Sequence, residues 1–301
     1  MRLPLLLPIC ILSLLSAQST DPNRSGFPHD MIWFNVPKTL EPGVQHKGYH
    51  SAAMDKQIGY NIYLPPGYEM GSQRYPVVYW LHGRNNTEIS DSYPVHYLAE
   101  GIAAGKLPPM ILVYASGGSQ TNYCDSYDGK YMAETTVIKE LIPFIDRNYR
   151  TIASRDGRSL QGMSMGGFGA MRLALKYPDL FSSVVAFAGG YRSLDATDAP
   201  HPSYGEMFNN DKEIFREIHP DTWARRNAAK IRGRLAIQIY VGTEDPGLAG
   251  NRHMHAFLDE MEIPNSYQEF EGIAHNLKLL AAKVKTENFE IAVRSSGKHS
   301  H

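Results

Sequence analysis

Short apolar runs and amphipathic runs alternate along most of the chain. The apolar runs are rich in β-branched and aromatic residues and predict strands at Gly59–Leu64, Tyr75–Leu81, Pro109–Ala115, Gly157–Met163, Ser182–Ala188, Leu235–Val241 and Tyr267–Glu271. The runs between them predict helices at Val95–Ala104, Ala133–Tyr149, Arg252–Met261 and Leu277–Val293, with one more that ends at Tyr177. Units of about thirty residues that alternate in this way are typical of an α/β fold, a mostly parallel sheet with helices on both faces.

Two segments interrupt this alternation. Residues 20–45 are rich in Pro, Asn, Gly and Ser and predict an extended lead-in across the surface. Residues 191–234 combine Pro, Asp and aromatic residues, and we interpret them as an excursion over the carboxyl edge of the sheet, where open α/β sheets bind ligands. The catalytic domain is then expected at residues 46–294, followed by a polar tail at residues 295–301.

Residues 1–19 have the pattern of a secretory signal peptide. Arg2 carries a positive charge, and the apolar run Leu3–Leu15 is shorter than the roughly 20 residues that a membrane span needs. Small residues at Ala17 and Ser19 suit cleavage. A buried N-terminal helix is the alternative. We expect an exported protein, periplasmic or secreted, with no stable membrane insertion once the leader is removed.

The charge and the cysteine content of the chain bear on nucleic-acid binding and on disulfide formation. The 301 residues have a formal net charge of −1, which does not suit nucleic-acid binding because that needs a basic face. Without the leader, Cys124 is the single cysteine, so no intramolecular disulfide can form. We interpret Cys124 as a packing residue, and we expect neither a cofactor nor a metal.

The strongest chemical signal is the run Gly162-Met-Ser-Met-Gly-Gly167, which follows a predicted strand and precedes a predicted helix. It matches G-x-S-x-G, in which a sharp strand-to-helix turn projects a serine hydroxyl and flanking glycines avoid clashes. The alternative is a glycine loop used only for packing. The context favours Ser164 as a nucleophile.

A serine hydroxyl needs a base, and in this kind of fold an acid and then a histidine follow the serine along the chain. His275 lies just beyond the last predicted strand, where the base is expected. The loop after the strand before it holds Glu244 and Asp245. We favour Asp245, because Pro246 and Gly247 form a turn that would direct it at His275.

The oxyanion hole is expected from two backbone N–H groups beside the nucleophile. Met165 opens the helix after Ser164, and Arg84 follows the strand that ends in Leu81-His-Gly83. We interpret His82 as a packed histidine that holds this loop.

Taken together, the motifs resemble the putative-esterase branch of the α/β hydrolases, which includes esterase D and feruloyl esterases. The similarity covers residues 45–290 and is carried by the runs Asn61–Tyr68, Tyr75–Gly83, Glu140–Asp146, Gly162–Ala170 and Gly242–Asp245. It implies an α/β-hydrolase fold, the triad Ser164, Asp245 and His275, and oxyanion amides at Met165 and Arg84.

The resemblance also implies a function, an exported serine esterase that works through an acyl-enzyme. The expected substrates are feruloyl or acetyl esters of plant polysaccharide, presented as a small molecule or on the polymer. A siderophore esterase or an acyltransferase on another ester is the alternative, and a non-catalytic binding module is disfavoured by the intact triad. Tyr123 and Tyr204 lie in aromatic segments near the predicted site, and our hypothesis is that one of them contributes to recognition of the acyl group. The alternative is that each tyrosine only covers the sheet, half-buried with its hydroxyl in water.

Overall fold

The computed structural model describes residues 30–90, 92–192 and 202–294, and these contain a single eight-stranded sheet. Its strands in chain order are β1 (Val44–Ser51), β2 (Lys56–Tyr63), β3 (Val77–Leu81), β4 (Ile111–Ala115), β5 (Arg158–Met163), β6 (Ser183–Phe187), β7 (Ala236–Gly242) and β8 (Ser266–Phe270). Across the sheet the order is β1-β2-β4-β3-β5-β6-β7-β8. The pairs β1–β2 and β2–β4 are antiparallel, and every other pair is parallel.

The parallel part of the sheet is buried on both faces. In β3, Val77, Tyr79 and Leu81 belong to one apolar cluster, whereas Val78 and Trp80 belong to a second cluster on the other face. Successive side chains of a strand point to opposite faces, so a strand covered on both sides must be apolar throughout. The continuous apolar runs predicted this arrangement, and the mostly parallel sheet is confirmed.

Helices cover both faces. In chain order they are α1 (Val95–Ala103), α2 (Ala133–Thr135), a π-helical turn (Thr136–Leu141), α3 (Ile142–Asn148), α4 (Met165–Lys176), α5 (Pro202–Phe208), α6 (Lys212–Ile218), α7 (Pro220–Ile231), α8 (Leu248–Glu260), α9 (Leu277–Val284) and α10 (Glu287–Arg294). Helices α4, α7 and α8 supply side chains to the first apolar cluster, whereas α1, α9 and α10 supply the second. No helix in the described ranges is long and apolar enough to cross a bilayer.

The structure extends the sheet beyond the strands that the sequence predicted. Residues 44–51 form β1, which pairs with β2 from Val44 opposite Tyr63 to Ser51 opposite Lys56. This strand lies at the sheet edge and exposes every second or third side chain, so its sequence has no continuous apolar run. The predicted lead-in therefore ends near Gly43, and residues 20–29 of it lie outside the described residues, as do the predicted leader and the tail.

Two segments in the second half of the chain contain elements that the sequence did not resolve. The closing helix expected over Leu277–Val293 is divided into α9 and α10 at Lys285, which has a left-handed backbone with φ of 53°. The segment at residues 191–234, interpreted from the sequence as an excursion over the carboxyl edge, holds α5, α6 and α7 between β6 and β7, and its residues 193–201 lie outside the described ranges.

Candidate active site

Ser164 occupies the turn between β5 and α4, at the carboxyl edge of the sheet. Its backbone has φ of 58° and ψ of −115°, a conformation that costs a non-glycine residue about 1–3 kcal/mol. Two hydrogen bonds hold this turn: Ser164 N–H donates to Phe187 O at 2.9 Å, and Gly190 N–H donates to Ser164 O at 2.9 Å. The loop after β6 therefore supports the strained residue from one side.

Glycines make the turn sterically feasible. A Cβ atom on Gly166 would lie 1.9 Å from the carbonyl oxygen of Leu81, and one on Gly162 would lie 2.5 Å from the backbone of Gly166. Real Cβ contacts are never this short, so β3, β5 and the start of α4 can approach closely only with glycine at both positions. This explains in physical terms why the motif needs its flanking glycines.

The structure brings Asp245 and His275 into contact. Nδ1 of His275 lies 2.7 Å from Oδ2 of Asp245, whose side chain is completely buried. The Oδ1 atom of Asp245 accepts a hydrogen bond from Gly247 N–H at 2.7 Å. Because the carboxylate accepts the Nδ1 proton, Nε2 of His275 is left as the basic nitrogen. Glu244, the other candidate acid, is exposed.

The loops that carry these two side chains are hydrogen-bonded to each other. Thr243 N–H donates to Phe270 O at 3.0 Å, and Glu244 N–H donates to Ile273 O at 3.1 Å. Gly272 N–H in turn donates to Oγ1 of Thr243 at 2.9 Å. Since β7 and β8 are parallel neighbours of one sheet, their following loops leave the same edge, and these bonds fix the base relative to the acid.

The two predicted oxyanion donors belong to two backbone segments that lie next to Ser164. Met165 is the first residue of α4, where backbone N–H groups have no partner within the helix. Arg84 belongs to the loop after β3, and a Cβ on its neighbour Gly83 would lie 3.6 Å from Cβ of Ser164. The loop is anchored by Asn85 N–H, which donates to Ser119 O at 2.8 Å.

His82 supports this loop from within the protein. Its Nε2 accepts from Gly117 N–H at 3.2 Å, so its Nδ1–H donates to Gly83 O at 2.9 Å. Burial disfavours the imidazolium and lowers the pKa of His82 to about 4, which keeps the ring neutral near pH 7. These contacts agree with the interpretation of His82 as a packed histidine.

Tyr123 is buried, which agrees with the alternative that this tyrosine covers the sheet and does not contact the acyl group. Its side chain has no exposed surface, and its hydroxyl donates to His82 O at 3.3 Å. A Cβ on Gly169 of α4 would lie 2.7 Å from the Tyr123 ring, so the ring fills the space between α4 and the loop after β3. Tyr123 therefore packs beneath the loop after β3, which we call the oxyanion loop because it carries the predicted donor Arg84. The side chain of Tyr204, the other candidate, lies outside the described residues.

The single cysteine of the described residues, Cys124, is buried. Burial raises the pKa of the Cys124 thiol to about 12, which leaves it protonated and unreactive.

Asn251 is completely buried and hydrogen-bonded near Asp245, a role that was not predicted from the sequence. The available signal was its position three residues before Met254, in the apolar stripe of α8. Among the described residues, no group of three His, Cys, Asp or Glu side chains could hold a metal ion.

Comparison with known proteins gives a family match that covers most of the chain. Residues 51–289 match the family model described as "Putative esterase". An esterase of Mycobacterium tuberculosis is 34% identical over 152 residues, which are 50% of this chain and 33% of that protein. A protein of Xylanibacter ruminicola named endo-1,4-beta-xylanase/feruloyl esterase is 34% identical over 242 residues, which are 76% of this chain and 31% of that protein.

The chain thus spans about a third of the length of these two curated relatives. Among solved structures, one described as a ferulic acid esterase has a TM-score of 0.71 at 21% identity. The alignment covers 83% of this chain and 97% of that structure. At this identity the likeness bears on the fold, and it confirms the predicted α/β-hydrolase arrangement.

Proposed function

The chain belongs to the "Putative esterase" family, and from that membership we propose that it is a serine esterase that hydrolyses carboxylic esters through an acyl-enzyme. The observation that carries this proposal is the 2.7 Å contact between His275 Nδ1 and Asp245 Oδ2, at the same sheet edge as the strained Ser164 turn. Buried acid, oriented imidazole and projected hydroxyl are the three parts that nucleophilic serine chemistry requires.

In the proposed reaction, Ser164 Oγ attacks the ester carbonyl carbon while His275 Nε2 takes the hydroxyl proton. Asp245 holds the imidazole in the required tautomer and stabilises the imidazolium. The N–H groups of Met165 and Arg84 donate to the oxyanion of the tetrahedral intermediate. The intermediate expels the alcohol, which receives the proton from His275 and leaves an acyl group on Ser164. Water, deprotonated by the same histidine, then releases the carboxylic acid and restores the serine.

We further propose that the substrates are feruloyl or acetyl esters of plant polysaccharide and that the enzyme is exported. Support for the acyl group comes from the Xylanibacter ruminicola relative, whose name includes feruloyl esterase and which aligns over 76% of this chain. Support for export comes from the leader-like pattern of residues 1–19. A polymer-linked ester would have to be met outside the cell, so the two parts of the proposal agree.

Covalent labelling tests the nucleophile. A fluorophosphonate probe should react with the folded protein and modify the peptide that contains Ser164, as read by mass spectrometry. The Ser164→Ala variant should not be labelled. Labelling of another residue, or continued labelling of the variant, would remove Ser164 from the proposed role.

Turnover of a substrate panel tests the acyl group and the acceptor. The panel holds methyl ferulate, acetylated xylan, p-nitrophenyl esters of rising chain length and a siderophore trilactone. Preference for methyl ferulate or acetylated xylan supports the proposed substrates, and preference for the trilactone contradicts them. An added sugar or alcohol that captures most of the acyl group, in competition with water, would reassign the enzyme as an acyltransferase.

A further inference from the structure

Asn251 is a buried polar side chain that the proposed mechanism does not use. It lies in the first turn of α8 and has no exposed surface, and its neighbours on the buried side of the helix, Met254, Phe257 and Leu258, are apolar. Placing an amide in such surroundings costs free energy unless its donors and its acceptor are paired. The partners of Asn251 therefore indicate what the residue does.

The amide of Asn251 is paired with two loops. Its Oδ1 accepts from Gly189 N–H at 3.0 Å, and its Nδ2 donates to Gly189 O at 2.9 Å. The second proton of Nδ2 goes to Gly247 O, also at 2.9 Å. Only this orientation of the amide fits, because Gly189 N–H can donate but not accept. Asn251 thus holds both polar groups of Gly189 and, at the same time, the carbonyl of Gly247.

Each of these loops holds part of the proposed triad. Gly247 N–H donates to Oδ1 of Asp245 at 2.7 Å, so the position of Gly247 bears directly on the carboxylate. Gly190, next to Gly189, donates its N–H to Ser164 O at 2.9 Å. Asn251 is consequently linked to the backbone of Ser164 through Gly189 and the adjacent Gly190, and to the carboxylate of Asp245 through Gly247.

We propose that Asn251 is a positioning residue of the triad, which fixes the loop carrying Asp245 relative to the loop that supports Ser164. This proposal rests on the proposed function, since it acts through Asp245. The carboxylate must meet His275 Nδ1 in a single geometry, and displacement of a reacting group by about 1 Å can cost about 100-fold in rate. Asn251 limits that displacement by tying two separate loops to one rigid helix.

The test measures esterase kinetics of Asn251→Ala with p-nitrophenyl acetate, an activated ester on which slow variants remain measurable. We expect kcat to fall by about 10-fold to 100-fold with KM nearly unchanged, because the acid is displaced and the substrate contacts are not. A side chain with only a structural role would lower the melting temperature and leave kcat of the folded enzyme at the wild-type value. If Asn251→Ala does not fold, Asn251→Ser, which leaves a smaller cavity, is measured in the same way.

A double-mutant cycle then shows whether Asn251 acts through Asp245. If it does, adding Asn251→Ala to Asp245→Asn should cause little further loss of kcat, since the contact it protects is already impaired. Independent, multiplicative losses would overturn the proposal.

Asn227 provides the matched control. It is a partly buried amide on α7 that donates to Leu175 O at 2.8 Å and to Lys176 O at 3.3 Å, away from both loops. Asn227→Ala should lower stability and leave kcat unchanged.

The outcomes separate this inference from the function on which it rests. If Asp245→Asn retains wild-type kcat, the triad assignment fails, and the role of Asn251 fails with it. If Asp245→Asn is nearly inactive while Asn251→Ala retains wild-type kcat, the triad stands and only the positioning role is overturned.

Discussion

Two serines directly follow parallel strands at the same edge of the sheet, and they differ in backbone conformation and in exposure. Ser164 follows β5, adopts a left-handed backbone with φ of 58° and keeps part of its surface exposed. Ser116 follows β4, two strands away, and is 2% exposed. Among the residues that the structure describes, the Ser116 hydroxyl has no hydrogen-bond partner. A position at the carboxyl edge of the sheet therefore does not by itself expose a serine hydroxyl. The backbone conformation of the turn determines whether the side chain points away from the core.

The same contrast holds for the regions around the two serines. Around Ser164, glycines allow a tight turn that forces one polar side chain outward. In the loop after β4, Tyr123 also has a positive φ, of 54°, yet its ring fills space beneath the oxyanion loop. We infer that the first region is built for chemistry and the second for support, and four predictions test this division.

The largest effect is expected at the serines themselves. Ser164→Ala should lower kcat by about 10⁶-fold, as expected for loss of a triad nucleophile, with little change in melting temperature. Ser116→Ala is the matched control and should retain wild-type kcat and stability, since its hydroxyl makes no hydrogen bond within the described residues. Activity assays and thermal melts of both variants measure the contrast. Equal losses of kcat at the two positions would abolish it.

The next effect distinguishes adjacent carboxylates in the loop after β7. Asp245→Asn should lower kcat by about 10⁴-fold, because the amide can no longer hold His275 in the reactive tautomer. Glu244→Gln should leave kcat nearly unchanged, since Glu244 is exposed whereas the Asp245 side chain is completely buried. The measurement is kcat for one ester at saturating concentration. The reverse order of effects would move the acid role to Glu244.

The sequence predicted the parts of this molecule that are specified locally. The continuous apolar runs of β3 and β4 and the glycines around Ser164 each reflect a constraint that operates within a few residues, so they can be read from one stretch of chain. The choice of Asp245 over Glu244 also came from a local turn, and the structure places Asp245 against His275.

What the sequence missed depends on distant contacts. The half-exposed pattern of β1 acquires meaning only from its pairing with β2. The direction of the Tyr123 ring depends on the space that Gly169 leaves on α4, and the role of Asn251 depends on two loops that meet only in the folded chain. Aromatic content alone could not decide whether Tyr123 faces a substrate or the interior.

The third prediction concerns Tyr123 and stability. Tyr123→Ala should lower the free energy of unfolding by about 3–5 kcal/mol, because it empties a large buried site beneath the oxyanion loop. Tyr123→Phe removes the hydroxyl that donates to His82 O, keeps the ring, and should cost about 1 kcal/mol. Denaturant unfolding gives both values. In the folded variants, KM for methyl ferulate and for p-nitrophenyl acetate should change alike, and a selective rise for methyl ferulate would return Tyr123 to the acyl pocket.

The smallest expected effect is the contribution of His82 to the pH dependence of the free energy of unfolding. Burial lowers the pKa of His82 from 6.5 to about 4. Between these pH values His82 takes up a proton in the unfolded chain but stays neutral in the folded protein, so protonation favours unfolding. The contribution of neutral His82 to the free energy of unfolding is therefore complete above about pH 6.5 and is lost as the pH falls towards about 4. The contribution changes by at most about 1.4 kcal/mol per pH unit.

His82→Gln isolates this contribution from the titration of the carboxylates. Glutamine can accept from Gly117 N–H and donate to Gly83 O, as the neutral imidazole does, but it does not titrate. Unfolding free energies of the wild type and the variant, measured from pH 4 to pH 8, should differ by a constant above about pH 6.5 and converge or cross below it. Parallel curves for His82→Gln would mean that the buried imidazole of His82 accepts a proton without a cost in free energy. The surroundings of His82 would then be less closely packed than its contacts with Tyr123 and Gly117 indicate.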